Sequence, residues 1–551
     1  MVTPTKEQQD IIDYAAQGNS LIIQAFSGAS KTTTLCLVAK ELDKQGKKGL
    51  YLAFNKAIAE EAKEKMPDSV YCSTVHSLAF RNSDRRLTKK INYVFDHPKV
   101  LADNYNVKEL KIKVERAGRD IDVNVAPIQI VKMAKDTIAN YCNSSFKELC
   151  IDVVVVQEFG EGSRIIDGET PLKKSILKTA KALFKDMVNV KSKTPITHDT
   201  YLKLYSLDNS NKLEYDYVMV DENQDTNPCT LMILDRYKGQ KIIVGDTHQA
   251  IYAWRNAINA MDMYPEFQTL HLTKSFRFGD SVEKLANEVL QHKGCDMHLY
   301  GNGSKEDTST FNGKYDVYIA RTNQGALSMY ISLLEEGRKP YLDVNKDEII
   351  KFVKHYFSLG KGWKITNPHQ TLYGFESKEE VKEYTKKVKD RDLEKFLLLC
   401  DMHGYSLVDL LKESSPKHQS DCCVMTAHKS KGLEFDNVLL GDDFDYLAIV
   451  NDAGVVVGVT DDVQELNLLY VAVTRAKKYC NIGGVTRFFK FIRGEYEDVD
   501  SNIREHYEID NLKVLPIGVE DVFLSDTLDN FTRIADVEMN IALDSIHPLL
   551  D

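Results

Sequence analysis

The sequence predicts an α/β protein of two P-loop-type lobes, each a parallel sheet interrupted by a mainly helical insert. Three observations carry this. First, the apolar strand Tyr217-Val-Met-Val220 runs straight into Asp221 and Glu222, so two carboxylates fall where a parallel sheet opens to solvent. Second, the run Leu21-Ile-Ile23 leads through the small-residue turn Gln24-Ala-Phe-Ser-Gly-Ala-Ser-Lys-Thr-Thr33 into a helix, the order of a phosphate cradle. Third, a second α/β unit opens near residue 280, with Asp316-Val-Tyr-Ile-Ala-Arg-Thr-Asn323 as a strand ending in Arg321.

Composition narrows the class. At 551 residues the chain is long enough for several domains of about 150 residues each. Acids outnumber bases by 82 to 71, a net charge of −11, so no global basic field draws nucleic acid and any such binding must be local. Ten cysteines are scattered, Cys422-Cys423 is the only close pair and no C-x-x-C occurs, which argues against a disulfide framework or a zinc module. With no apolar signal core and no apolar run near the ~18 residues of a membrane helix, the expectation is a soluble, intracellular chain. That means cytoplasmic, nuclear in a eukaryote, or in the host cytoplasm for a virus.

Residues 1–81 read as the first part of lobe 1. Thr5 starts a helix, and Gln8 stands a short step before the phosphate turn, where its amide suits an adenine edge. In the turn, Ser27, Gly28, Ala29, Ser30, Lys31, Thr32 and Thr33 surround the phosphates. Backbone N–H groups face the anion, Lys31 neutralises charge and Thr32 offers its hydroxyl to Mg²⁺. The G-x-x-x-x-G-K-[ST] template is matched imperfectly: Gly28 remains, and Ser30 replaces the glycine before the lysine. Ser30 is expected to be tolerated in an ordinary helical or bridge conformation, whereas a turn that forced its φ above zero would add strain of about 1–3 kcal/mol and weaken ATP binding. Two further βα units follow, Gly49-Leu-Tyr-Leu-Ala-Phe-Asn-Lys56 and Val70-Tyr-Cys-Ser-Thr-Val-His-Ser77. The second places Thr74 and His76 at a strand end, to hold a phosphate or to serve as structural hydrogen-bonders.

Residues 82–205 break the sheet pattern with mostly helical, charged sequence, an insert whose basic patches are Arg85-Arg-Leu-Thr-Lys-Lys90 and Lys173, Lys174, Lys178 and Lys181. Residues 206–280 complete lobe 1. There Asp221 suits a Mg²⁺ ion and Glu222 a water that must lose a proton. The strand Lys241-Ile-Ile-Val-Gly-Asp246 leads into Thr247-His-Gln-Ala-Ile-Tyr-Ala-Trp-Arg-Asn256, where an aromatic beside a cation suits base stacking, or Tyr252 and Trp254 are simply core. Residues 281–344 open lobe 2, 345–420 form a small helical insert, and 421–551 return to the lobe and end in an acidic tail. The return carries Val424-Met-Thr-Ala-His-Lys-Ser-Lys-Gly-Leu-Glu-Phe435, the strand Val438-Leu-Leu440 and Glu465-Leu-Asn-Leu-Leu-Tyr-Val-Ala-Val-Thr-Arg-Ala476.

These motifs, in this order, resemble superfamily 1 DNA helicases of the UvrD/Rep/PcrA group. The stretches Ala53-Phe-Asn-Lys-Ala-Ile-Ala-Glu-Glu-Ala62, Thr74-Val-His-Ser-Leu-Ala-Phe80 and Thr197-His-Asp-Thr-Tyr-Leu-Lys-Leu204 resemble the F-box DNA helicase branch, without an F-box ahead of the nucleotide site. The resemblance implies two RecA-like lobes that close on ATP and Mg²⁺. It implies a translocase that opens duplex junctions from single-stranded DNA, 3′ to 5′, as a monomer in replication, recombination or repair. Among residues, it implies Gln249, Arg277 and Arg475 at the γ-phosphate beside Lys31 and Glu222, Phe276 on adenine and Glu434 on the ribose. It also implies that Phe54, Asn55, Thr74, His76, Tyr252, Trp254, Arg255 and His428 line the DNA, with the 82–205 insert above it. Two competitors stand beside it. Ser30 motivates a nucleotide-dependent DNA-binding remodeller with little unwinding, and a helicase-nuclease lacks a carboxylate-lysine cluster near the C-terminus. The sequence names no protein partner.

Overall fold

In a computed structural model of the chain, the residues described are 3–495 apart from 94, 97, 117, 160–162, 253–258, 305–312, 362–368, 373–374, 389–390, 413–414 and 452–454. Two parallel sheets dominate, as the sequence predicts. The first has six strands in the order Val70–Thr74, Gly49–Ala53, Tyr217–Val220, Gln240–Gly245, Leu21–Ala25, Gln268–Leu272. The second has five, in the order Pro340–Asp343, Cys422–Thr426, Val317–Ala320, Phe435–Leu440, Ala476–Asn481.

Both sheets are buried on two faces, and the period of two along each strand divides their side chains between two cores. Ile22, Leu50, Leu52, Val218 and Val220 point to one side of the first sheet, into a core shared with the 82–205 insert. Leu21, Ile23, Tyr51, Tyr217 and Met219 point to the other, under the helices Lys6–Ala16 and Lys31–Lys44. The second sheet sends Val317 and Ile319 one way and Tyr318 and Ala320 the other. Phe26 and Ile251, both from lobe 1, are buried in the lobe 2 core, so the phosphate turn itself plugs into the facing lobe.

The 82–205 insert is less purely helical than expected. Its long helices Pro127–Asn143 and Glu169–Val188 pack Ile130, Ala134 and Ile138 with Leu172, Ile176 and Leu183. A three-stranded antiparallel sheet stands beside them, ordered Arg119–Val125, Leu110–Arg116, Arg164–Asp167. The alternation Ile112 and Val114 inward, Lys113 and Glu115 outward is the strand signal in that stretch. Lys90 is no member of a solvated or nucleic-acid-facing patch. It is buried, and its Nζ donates to the carbonyls of Asp186 (3.0 Å), Met187 (2.6 Å) and Asn189 (2.8 Å), closing the C-terminus of Glu169–Val188. The two inserts meet where the Arg116 guanidinium lies 3.7 Å from the ring centre of Phe375 and 5.6 Å from that of Tyr384. Among the described residues no helix is long and apolar enough to cross a membrane, and all ten cysteines are free.

Candidate functional site

The phosphate turn leaves the strand Leu21–Ala25 and closes by the Ala29 N–H donating to Phe26 O at 3.1 Å, just ahead of the helix Lys31–Lys44. Gly28 has φ +75°, and a Cβ there would fall 2.3 Å from Ser275 Oγ and 2.8 Å from Arg277 Cβ. Only glycine allows that approach. Ser30 corrects an expectation: it adopts φ 56°, ψ 43°, the left-handed region, rather than a helical or bridge conformation. The turn needs that torsion whatever residue fills it, and a side chain there stores roughly 1–3 kcal/mol of strain. Thr32 and Thr33 occupy the first helical turn beside Lys31. Gln8 is buried with its carboxamide engaged, accepting from Thr5 N at 3.0 Å and donating to Thr34 Oγ1 at 3.0 Å.

Opposite the turn, the strand Tyr217–Val220 delivers its two carboxylates. Asp221 accepts from Tyr51 OH at 2.7 Å and from the Glu222 N–H at 2.9 Å. Glu222 has φ 52°, also left-handed, which turns its carboxylate back to Lys31 Nζ at 2.5 Å, while Gln224 Nε2 donates to it at 2.5 Å. Burial works to raise the Glu222 pKa, but Lys31 and then Lys431 overturn it and hold the carboxyl down at about 2. Burial alone would lower Lys31; Glu222, Asp221 and Asp246 leave it raised. Asp221 is raised, by burial first and by the neighbouring Glu222 second. Gln249 donates to Asp246 at 2.7 Å, at the end of the next strand.

Among the described residues no group of three or more His, Cys, Asp or Glu gathers as a metal cluster. Mg²⁺ at phosphates needs only one or two protein oxygens, and a buried carboxylate with a hydroxyl at a helix start is a donor set of that kind. Asp221 and Thr32 therefore fit the ion.

The second lobe contributes a buried cation, and Arg277 joins it from the end of lobe 1. Arg475 is fully buried, and its guanidinium donates to Val471 O (2.8 Å), Leu433 O (3.1 Å), Thr474 Oγ1 (3.0 Å) and Ser27 Oγ (3.2 Å). Burial, then the neighbouring Arg277, brings it down to about 9. Arg277 reaches the same Ser27 Oγ at 3.1 Å and pairs with Glu434 at 3.1 Å. Tyr470 OH accepts from the Ser27 N–H at 3.1 Å, so one residue of the turn is held by three side chains from outside it. Phe276 stands 47% exposed at the rim, its N–H on Gly28 O.

A second face carries aromatics. Phe54, 48% exposed, is stacked on Tyr252 with ring centres 6.4 Å apart, and the Tyr252 ring is 6.3 Å from that of His428 on lobe 2. Lys431, which the motif reading did not single out, pairs with Asp225, donates to Gln249 O at 2.6 Å and lies 5.2 Å from the Tyr252 ring centre. Burial pushes Asp225 up to about 6 against the pull of Lys431. The neighbouring polar residues have local tasks. Asn55 caps Lys56–Lys65 by accepting from Ile58 N, and Thr74 caps Val75–Arg81 by accepting from Ser77 N. His76 Nε2 lies 3.1 Å from Asp199. Trp254 and Arg255 lie outside the described residues. Besides Lys431, sequence reasoning passed over Tyr51, Asp246 and Tyr470. Lys431 alone had a visible signal, a cation three residues before Glu434 in a motif already chosen.

The profile of the UvrD/REP helicase N-terminal domain matches residues 5–268, and that of the UvrD-like helicase C-terminal domain matches residues 370–483. The chain is 28% identical over 511 residues to F-box DNA helicase 1 of Gallus gallus, covering 86% of this chain and 48% of that protein. It is 30% identical over 527 residues to F-box DNA helicase protein 1 of Schizosaccharomyces pombe, covering 86% of this chain and 56% of that protein. A shorter match, 37% over 87 residues, is to the ATP-dependent DNA helicase PcrA of Staphylococcus epidermidis, covering 14% of this chain and 12% of PcrA. The chain thus spans about half the length of the two F-box helicases it resembles.

Proposed function

The chain belongs to the UvrD-like helicase family, and from that premise we propose that it hydrolyses ATP to move along single-stranded DNA, 3′ to 5′, and to open duplex junctions. One observation carries the reading: Lys31 and Glu222 of lobe 1 and Arg475 of lobe 2 converge on a single phosphate turn, with Arg475 and Arg277 both on Ser27 Oγ. Gln8, Ser27 to Thr33, Phe276 and Glu434 hold the nucleotide. Thr32 and Asp221 hold Mg²⁺, which neutralises phosphate charge when bound.

Glu222 is the proton acceptor for the attacking water. Its ion pair with Lys31 makes it a poor base, because a carboxyl held at about 2 has little drive to take a proton. A phosphate that draws Lys31 toward itself loosens that pair and raises the basicity of Glu222 where it is needed. Lys31, Arg277 and Arg475 then stabilise charge developing on the transferred group, and Gln249 orients the water or senses the γ-phosphate. Phe54, Tyr252 and His428 form the stacking track for the strand, with Asn55, Thr74 and His76 along its path, and Trp254 and Arg255 are assigned to DNA by their motif alone. The protein acts as an intracellular monomer, in replication, recombination or repair. The left-handed Ser30 favours one alternative, a remodeller that binds nucleotide and DNA with little turnover.

The test is ATP hydrolysis with and without single-stranded DNA, alongside strand separation on 3′- and 5′-tailed duplexes. The expected result is stimulated hydrolysis and unwinding of the 3′-tailed substrate. Glu222→Gln is expected to lose hydrolysis by about 10²–10⁴-fold while binding ATP within a few-fold of the parent. Binding of both ligands by the parent without turnover would instead select the remodeller, and parental hydrolysis by Glu222→Gln would remove Glu222 from its role.

A further inference from the structure

Lys431 joins the stacking track to the hydrolytic carboxylate through an unbroken series of contacts. It lies on lobe 2, directly after the short helix Ala427–Ser430, yet its ammonium group is spent on lobe 1: on Asp225 and on Gln249 O at 2.6 Å. Its remaining approach is to the Tyr252 ring, 5.2 Å away, which stacks with Phe54. Beyond Asp225 the series continues through Gln224. That amide nitrogen donates to Glu222 at 2.5 Å and lies 3.5 Å from Asp225 Oδ2, and its oxygen accepts from the Asp246 N–H at 3.0 Å. Asp225 is buried, and its Oδ1 has no hydrogen-bond partner. A single amide is thus placed between two carboxylates, and which one it serves depends on how well the other is paired.

We infer that Lys431 is a positioning residue that couples DNA on the Tyr252 track to the carboxylate of Glu222. The inference rests on the ATPase reading above. A strand stacked along Phe54 and Tyr252 brings phosphate oxygens near the Lys431 ammonium, which has three protons to donate. As Lys431 turns toward the strand, Asp225 loses its cation, and an unpaired buried carboxylate is strongly unfavourable. Gln224 relieves it by swinging its amide from Glu222 to Asp225, a short rotation because the amide already touches both. Glu222 then loses the amide that fixes its orientation and is free to turn toward the attacking water. Single-stranded DNA accelerates hydrolysis by this exchange, without touching the nucleotide.

The experiment measures steady-state ATPase rates without DNA and at saturating oligo(dT), with oligo(dT) and ATP-analogue affinities measured separately. Lys431→Met is expected to bring the ratio of stimulated to unstimulated rate down at least tenfold, at oligo(dT) concentrations that saturate the variant. Lys431→Arg keeps the cation and is expected to recover part of the ratio. Gln224→Met, which removes the amide at the other end of the series, gives the same loss, and the double variant is no worse than either single one. The inference is overturned if Lys431→Met keeps the parental ratio once DNA is saturating, since Lys431 is then only a DNA contact. It is equally overturned if both rates fall by the same factor. A parent that hydrolyses no ATP with or without DNA defeats the functional reading itself, an outcome distinct from an active parent whose variants keep its ratio.

Discussion

Three non-glycine residues take positive φ among those described, and two of them, Ser30 and Glu222, flank the Lys31 ammonium. Strain of this kind persists where surrounding contacts over-determine the backbone, and here both positions serve the same ion pair. Replacing Ser30 by glycine removes the Cβ penalty without touching a cap hydrogen bond, because the Ser30 side chain makes none. Ser30→Gly is therefore expected to raise stability by about 1 kcal/mol and to change the ATP KM by less than about tenfold, or 1.4 kcal/mol. Denaturant midpoints and saturation kinetics check both. A drop in stability would show that the serine compensates elsewhere. Gly28→Ala runs the other way: its Cβ would meet Ser275 Oγ at 2.3 Å in a left-handed backbone. The expectation is a loss of at least about 2 kcal/mol, read as a lower melting temperature together with weaker ATP binding. Residue types at this scale are legible in the sequence, but torsions are not. The phosphate turn is shaped partly by Phe276, whose N–H donates to Gly28 O from far along the chain, and no local pattern announces that contact.

At the scale of elements, the strands of both lobes are legible because each is a short apolar run ending in polar or small residues, the mark of a parallel sheet covered on both sides. The small sheet within 82–205 escapes such a reading because its strands alternate charged and apolar residues, and the charges dominate when the stretch is read for composition. Lys90 reads as part of a basic run for the same reason. Its burial depends on where the helix Glu169–Val188 ends, about a hundred residues later. Lys90→Met keeps the alkyl volume but leaves three carbonyls at that helix end without their donor. A destabilisation of about 2–4 kcal/mol is expected, detected as earlier unfolding of the insert by hydrogen exchange. Little change in exchange along Glu169–Val188 would show that water replaces the ammonium group.

Across the whole molecule, the lobes are joined by apolar and titratable contacts that respond to pH. His248 of lobe 1 packs between Phe26 and Tyr470 and meets Lys293 Nζ at 2.9 Å, with Asp246 nearby. Burial is the largest cause that brings His248 down to about 4; burial likewise brings His355 to about 4 and His369 well below its ordinary value. A histidine with a lowered folded pKa contributes nothing to pH dependence above about 6.5, where both states are neutral. Below that, the unfolded chain takes up protons first, so stability falls as pH drops from about 6.5 toward 4, each such histidine costing up to about 1.4 kcal/mol for every step of one in pH. Glu222 acts in another window: its depressed pKa favours the folded state above about 4.5 and that advantage is lost as pH falls toward 2. Urea midpoints at about pH 8, 6.5, 5 and 4 are expected to be level across the first two and to fall across the rest. His248→Gln should flatten the fall, and an unchanged slope would place its cause in the other histidines. The two-lobe plan is legible in the sequence, whereas this seam is not, because Phe26, His248, Lys293 and Tyr470 meet only once both lobes have formed.

The strand order of the first sheet bears on how the chain is made. Leu21–Ala25, which launches the phosphate turn, pairs with Gln240–Gly245 on one side and Gln268–Leu272 on the other. At the usual ribosomal pace of about 5–20 residues per second, this apolar strand waits on the order of 10–40 s before either neighbour leaves the tunnel. Gly49–Ala53 and Val70–Thr74 pair with each other well before that. During the interval an unsatisfied β edge of Leu21, Ile22 and Ile23 is open to mispairing or to a chaperone. The strand that launches the phosphate turn is thus made about two hundred residues ahead of the neighbours that hold it in the sheet.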